Sequence, residues 1–276
     1  MDIATHKNNV KKCKEIIRER IGNLSPKLAI ILGSGLSNLT DDITDKVSIK
    51  YEELPGFPEI KVESHVGEVI AGKLNDVPVL AFRGRQHFYE TSDAYPLKTL
   101  IRTIKALGIE NLFISNAAGS LRSHIKPTEL MMITDHINFM GFNPLVGENE
   151  DDFGPRFPPM GDAWDKKLGE KLTESARALN ITLHEGVYMA FRGPNFETHA
   201  EILMAQRMGA DAVGMSSVPD CIIARHCGLK VVGCSCITNM GEGLSHEKLS
   251  HQHTLTNAKV VAENLKTLIT EFVGML

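Results

Sequence analysis

The sequence predicts an α/β fold: a single domain over residues 1–276, with a central mixed, mostly parallel sheet flanked by helices. Three observations carry that prediction. Six short apolar, β-rich runs are spaced along the chain, helical patterns lie between them, and no linker, repeat or low-complexity tract divides the sequence. Each run also ends in glycine or compact polar residues. In open α/β sheets ligands bind outside the carboxyl ends of the strands, so these ends suggest one small-molecule site assembled from the whole chain.

Taken in order, Val10, Cys13, Ile17 and Ile21 recur at helical spacing and give an amphipathic first helix. The run 28–32 leads into Gly33-Ser34-Gly35, and the run 77–82 into Arg83-Gly84-Arg85-Gln86-His87. A helical pattern over 97–107 precedes the run 112–115, which ends in Asn116-Ala117-Ala118-Gly119. After a helix over 165–179, the run 187–191 reaches Gly193-Pro194-Asn195-Phe196-Glu197. A helix over 199–208 comes before 212–213 and its step Gly214-Met215-Ser216. A helix over 218–227 comes before 231–237 and its step Thr238-Asn239. The last helix shows one apolar stripe, Val260, Val261, Leu265, Leu268, Ile269, Phe272 and Val273, with lysine and glutamate opposite. Two stretches lack periodicity, 51–67 and 141–161, the second with its acidic Glu148-Asn149-Glu150-Asp151-Asp152; such segments are usually functional loops or interfaces.

Composition narrows the function classes. A hydrophobic share of 42% and a charged share of 23% are those of an ordinary globular protein. A net charge of -4 gives no support to a nucleic-acid or anionic-membrane partner, and 6% aromatics argues against a base-stacking platform. The five cysteines form no C-x-x-C pair; Cys234 and Cys236 alternate in a buried-looking run, which reads as packing, and a reducing cytoplasm suits them. No apolar run approaches the ~18 residues of a membrane span. Residues 1–20 are basic without an apolar core, so no secretory signal is expected there, a mitochondrial presequence being the alternative.

The strand ends carry the chemistry. Gly33-Ser34-Gly35 is either a tight strand-to-helix turn or an anion site made of backbone N–H groups and the Ser34 hydroxyl; it is neither G-x-G-x-x-G nor a P-loop. Arg83, Arg85, His87 and Tyr89 alternate, so an extended segment aims them to one side, where Arg85 and His87 beside Ser34 would suit a phosphate. A solvated edge strand is the alternative. Glu197 either accepts from N–H groups of a ligand, with Phe196 packing on a flat ring, or caps the helix that begins near Thr198. Met215-Ser216 and Thr238-Asn239 are compatible with simple turns. His246, His251 and His253 cluster without ligand-spaced partners, so no metal is expected. Ser34 and Ser216 lack the G-x-S-x-G elbow of an acyl-serine enzyme.

Together these residues resemble the trimeric purine nucleoside phosphorylases, from Leu28 to the C-terminus. The resemblance runs through Gly33-Ser34-Gly35-Leu36, Gly84-Arg85-Gln86-His87-Phe88-Tyr89-Glu90, Asn116-Ala117-Ala118-Gly119 and Asp135-His136-Ile137-Asn138. It continues through Gly193-Pro194-Asn195-Phe196-Glu197-Thr198, Gly209-Ala210-Asp211-Ala212-Val213-Gly214-Met215-Ser216, Ala224-Arg225-His226-Cys227 and Ile237-Thr238-Asn239. The tail Gly241-Glu242-Gly243-Leu244-Ser245 with Lys248-Leu249-Ser250-His251 is more similar to the bacterial branch, which includes xanthosine-accepting enzymes.

The resemblance implies phosphorolysis of (deoxy)inosine and (deoxy)guanosine to free base and (deoxy)ribose 1-phosphate, in purine salvage. It places phosphate at Ser34, His65, Arg85, His87, Ala117 and Ser216, and ribose at Tyr89, Phe196, Met215 and His251. The base would meet Ala118, Gly119, Phe196, Glu197, Val213, Thr238 and Asn239, with Asn239, Glu197 and His87 as the catalytic residues. Phe157 matches the aromatic that the family inserts into a neighbouring subunit's site, which implies a homotrimer. Inorganic phosphate is then a co-substrate and no metal or redox cofactor is expected. Two places depart from the pattern: the segment between Glu90 and Tyr95 is longer than in animal enzymes, and Phe191 lies where relatives vary with base preference. A water-using nucleosidase would not need the residues around Ser34, Arg85 and His87, and a non-catalytic purine binder would show no turnover.

Overall fold

A computed structural model of the chain describes residues 2–33, 36–60, 66–245 and 251–276, without the side chains of 37 and 251–255. Among the described residues nine strands form one sheet: β1 (Leu28–Leu32), β2 (Thr44–Lys50), β3 (Glu68–Leu74), β4 (Val77–Arg83), β5 (Asn111–Ser120), β6 (Leu130–Asn138), β7 (Leu183–Ala190), β8 (Ala212–Gly214) and β9 (Lys230–Met240). Six helices accompany them: α1 (Ile3–Ile21), α2 (Tyr95–Ala106), α3 (Lys166–Ala178), α4 (His199–Arg207), α5 (Val218–His226) and α6 (His251–Gly274).

The strand order is β2-β3-β4-β1-β5-β8-β7-β6-β9, and β5 also pairs with β9. The sheet is therefore not simply open: β5, β8, β7, β6 and β9 close into a ring. Five of its nine ladders are parallel and four antiparallel, as a mixed, mostly parallel sheet requires.

The central strand β1 shows how the layers divide. It is wholly buried, and its side chains alternate between two cores. Ala29 and Ile31 join Ile17 of α1, Leu100 of α2 and Ile223 of α5; Leu28, Ile30 and Leu32 join Leu172 of α3 and Leu268 of α6. A smaller core gathers Ile202 and Ala205 of α4 against Met189 and Val213. The helix starts are fixed locally: Asp2 accepts from Thr5 N and Asp165 from Leu168 N, while Thr198 and Glu201 form a capping box at α4.

Each helix expected from the pattern is present, with the last stripe buried except at Val260, which faces solvent. The strands differ more. β5 continues through Asn116 to Ser120 and β9 through Thr238 to Met240, so residues that read as turns are strand. β2, β3 and β6 lie outside the six expected runs, although Val69-Ile70-Ala71 of β3 and Leu130-Met131-Met132-Ile133 of β6 are buried apolar runs of their own. Cys234 and Cys236 pack in one core, and all five cysteines are free and buried. Within the aperiodic 141–161, Glu150 is buried, 2.5 Å from Arg102 Nη1 and 2.7 Å from His6 Nδ1. Among the described residues no helix is long and apolar enough to cross a membrane.

Candidate active site

A cavity of about 310 Å³ opens where β4, β5, β8 and β9 end. Arg85, His87 and Tyr89 reach it from the segment after β4, Ala117, Ala118 and Gly119 from β5, and Thr238 and Asn239 from β9. Phe196 and Glu197 come from the turn before α4, and Val213, Met215 and Ser216 from β8 and its exit. Pro194 and Gly214, which stand in the sequence motifs without a role of their own, and Ala258 of α6, announced by no motif, line it as well. Ser34 and His65 lie outside the described residues, as does the side chain of His251, the first residue of α6. Phe157 is elsewhere: it is 86% exposed and lines a second hollow with Val146 and Arg156.

One wall is built for an anion. The expected alternation breaks at the first member, because Arg83 pairs back to Glu68 of β3 at 3.1 Å. Beyond Gly84, at φ 109°, Arg85 is buried, its Nη2 donating to Ser115 O at 2.6 Å and its Nη1 to Ser217 Oγ at 3.2 Å. Asp220 Oδ2 lies 3.6 Å from the same Nη1. Glu90 Oε1 accepts from the His87 backbone N–H at 2.7 Å and lies 3.0 Å from Nδ1, which places the ring proton on Nδ1. Burial lowers the His87 pKa, the nearby Arg85 charge adding to it against Glu90, so the ring is neutral at pH 7. Tyr89 stacks on it at 4.8 Å. Ser216 N donates to the Tyr188 phenol at 3.3 Å, whose own pKa burial pushes up to about 12. Gly33 is glycine for space: a Cβ there would meet Ser115 O at 2.8 Å and Asn116 Cα at 2.9 Å.

The opposite wall carries an acceptor and an amide. Glu197 is buried, burial raises its pKa, and its Oε1 has no hydrogen-bond partner among the described residues. Helix capping does not use it, since Thr198 and Glu201 do that work. The Asn239 amide is oriented on both sides: Thr238 Oγ1 donates to Oδ1 at 2.7 Å and Nδ2 donates to Met240 O at 2.9 Å. Asn257 of α6 donates to Thr238 O at 2.7 Å and ties the helix to this edge. The β5–β9 register slips here, from Ala118 opposite Ile237 to Gly119 opposite Asn239.

The family model of the phosphorylase superfamily matches residues 27–274. The chain belongs to the phosphorylase superfamily. Its relatives within that superfamily include a purine nucleoside phosphorylase of Bacillus subtilis, 43% identical over 97% of this chain and 98% of the relative. Another is that of Bos taurus, 40% identical over 89% and 87%. A Schistosoma purine nucleoside phosphorylase solved with hypoxanthine superposes at a TM-score of 0.90, 36% identical, over 98% of this chain and 97% of that one. The Schistosoma mansoni enzyme solved with inosine gives 0.91 at 35%, over 98% and 96%.

In this phosphorylase-superfamily chain three site residues carried no sequence signal. Tyr188 sits inside an apolar run, and Ser217 and Asp220 open a helix in the manner of ordinary capping residues. Only the pairing of β4's exit with the start of α5 brings the last two against Arg85.

Proposed function

We propose that the cavity carries out phosphorolysis of (deoxy)inosine and (deoxy)guanosine, yielding free purine and (deoxy)ribose 1-phosphate for salvage. The observation that carries this is the pairing, across one cavity, of a buried arginine beside a neutral histidine with a buried carboxylate beside a fixed amide. On this reading Ser34, His65, Arg85, His87, the Ala117 backbone and Ser216 hold phosphate. Tyr89, Met215, His251 and Phe196 hold ribose. Ala118, Gly119, Val213 and Thr238 frame the base.

The residue chemistry suits the reaction. As the C1′–N9 bond breaks, its electron pair moves onto the purine and the sugar gains oxocarbenium character. Phosphate held against the anion wall stabilises the cation and its oxygen then forms the new bond to C1′. Glu197 accepts the purine N1–H, and Asn239 Nδ2 donates to the N7/O6 edge, where negative charge accumulates. His87, neutral with its proton on Nδ1, offers Nε2 to a phosphate O–H. Phosphate is a co-substrate, and the reaction asks for no metal or redox cofactor. Phe157 would complete a neighbouring subunit's site in a homotrimer, and its exposure in the single chain supports that role. A cytoplasmic location fits five free, buried thiols.

Turnover of inosine, guanosine, xanthosine and adenosine with and without phosphate tests the reading. Base release that needs phosphate is the expected result. Release in its absence would make the protein a nucleosidase, and no release would leave a binding protein. The Schistosoma mansoni enzyme has also been solved with adenosine, so turnover rather than occupancy is the measure of base choice.

A further inference from the structure

Ser217 does not do what its position invites. It immediately precedes α5, where a serine ordinarily turns its side chain onto the first N–H groups of the helix. It makes no such bond, and its backbone sits at φ 65° and ψ -38°, a setting that non-glycine residues hold only where their surroundings impose it. Its Oγ instead accepts from Asn116 Nδ2 at 2.8 Å and from Arg85 Nη1 at 3.2 Å. With two N–H groups on the oxygen, its own hydrogen is left for Ser216 Oγ at 3.4 Å. Ser216, thus accepting, has its hydroxyl held between Ser217 and the Tyr188 phenol at the wall of the cavity it lines. Ser217 is fully buried and touches neither the base wall nor the mouth of the cavity.

We propose that Ser217 is a positioning residue for the anion half of the site: it locks the Arg85 fork and fixes the place of the Ser216 hydroxyl before phosphate arrives. This rests on the reading of Arg85 and Ser216 as phosphate ligands. Asp220 shares the anchor by holding the same guanidinium nitrogen from the first turn of α5.

Two variants separate positioning from plain stability. Ser217→Ala removes the hydroxyl and keeps a Cβ in the left-handed backbone, whereas Ser217→Gly removes the hydroxyl and relieves that backbone. Steady-state kinetics with inosine and phosphate, hypoxanthine binding to the free enzyme, and Tm are measured for both. The expected result is a phosphate KM raised about tenfold in each, as for loss of one hydrogen bond to a charged group. The inosine KM and hypoxanthine affinity stay within about twofold, whichever variant has the higher Tm. If Ser217→Ala does not fold, Ser217→Gly alone carries the test. A phosphate KM near wild type in Ser217→Gly, or equal rises for phosphate and inosine, overturns the proposal. Arg85→Ala is the control. If it raises the phosphate KM while the Ser217 variants do not, positioning by Ser217 is wrong and the phosphate pocket stands. If it leaves the phosphate KM unchanged, the pocket itself is misassigned and the proposal falls with it.

Discussion

Gly119→Ala places one methyl group against the amide that the proposed reaction depends on. A Cβ at residue 119 would stand 2.9 Å from Asn239 Nδ2, where ordinary contact begins at 3.4 Å, so the amide must move by about 0.5 Å. It cannot move freely, because Thr238 Oγ1 and Met240 O hold it at 2.7 and 2.9 Å. Giving up one of those bonds costs about 0.5–1.5 kcal/mol of stability, partly offset because alanine suits a strand better than glycine. The catalytic loss is larger, since a misaligned donor at the site of developing charge costs on the order of 10²-fold in kcat. Measured with inosine at saturating phosphate, kcat/KM should fall about 10²-fold while Tm moves by only a few degrees and the phosphate KM is unchanged. A double-mutant cycle sharpens the test: on an Asn239→Ala background, Gly119→Ala should cost almost nothing further. A kcat/KM within threefold of wild type, or full additivity with Asn239→Ala, would refute the reasoning.

Four further outcomes follow from other parts of the structure. Because burial raises the Glu197 pKa, the carboxylate takes its proton at a higher pH than an exposed glutamate, so kcat/KM for inosine should fall on acidification before ordinary carboxylates titrate; a flat profile down to pH 4.5 would contradict the N1–H assignment. Asn239→Asp supplies an acceptor for a 6-amino group, and the adenosine-to-inosine ratio of kcat/KM should rise; an unchanged ratio removes Asn239 from base reading, since such mismatches discriminate by ~10⁴-fold. Phe157→Ala chains mixed with a Glu197→Ala chain that keeps Phe157 should recover activity absent from either alone, and a fully active monomer excludes that arrangement. Glu150→Gln leaves Arg102 buried opposite an uncharged amide and should lower unfolding free energy by about 3 kcal/mol in urea titration; a loss under 1 kcal/mol would mean that the cluster is dispensable.

The same cluster sets the acid limb of stability. Burial opposes ionisation of Glu150, but the His6 hydrogen bond and Arg102 outweigh it and lower its pKa from 4.5 to about 2. Its contribution is therefore complete above pH 4.5 and lost as the pH falls toward 2, on the order of 3 kcal/mol in all. His6, whose pKa burial lowers, erodes stability in the same direction as the pH drops through 6.5, because the unfolded chain takes that proton first.

The helices and β1 were legible because one periodic stripe or one apolar run determines each of them. Strand β2, Thr44–Lys50, is exposed on most of its length, and its alternation of Val47 and Ile49 with Lys46, Ser48 and Lys50 is too short to announce a sheet edge. The ends of β5 and β9 were misread for the opposite reason. Ala117, Ala118 and Gly119 are small, and Thr238 and Asn239 polar, where they line the cavity, and small or polar residues at a strand end look like a turn. The His6–Arg102–Glu150 cluster was hidden by distance, its members 96 and 144 positions apart from His6 along the chain. The roles at the site came through a resemblance of ordered motifs; residue type alone left Glu197 open between cap and acceptor until Thr198 and Glu201 were seen to close the helix.

The slipped register between β5 and β9 has its own consequence. In a regular strand, neighbours point to opposite faces, yet Thr238 and Asn239 both reach the cavity, as do Ala117, Ala118 and Gly119 of β5, of which Gly119 pairs with Asn239. Immediately before the slip the pleat still serves the scaffold, Cys236 entering one core and Ile237 the other. The break thus divides β9 into a length that answers to packing and a tip that answers to the ligand. Exchanges at the tip can rewrite which ring is accepted while both hydrophobic layers keep their composition, so base preference can drift among related chains without the fold having to follow.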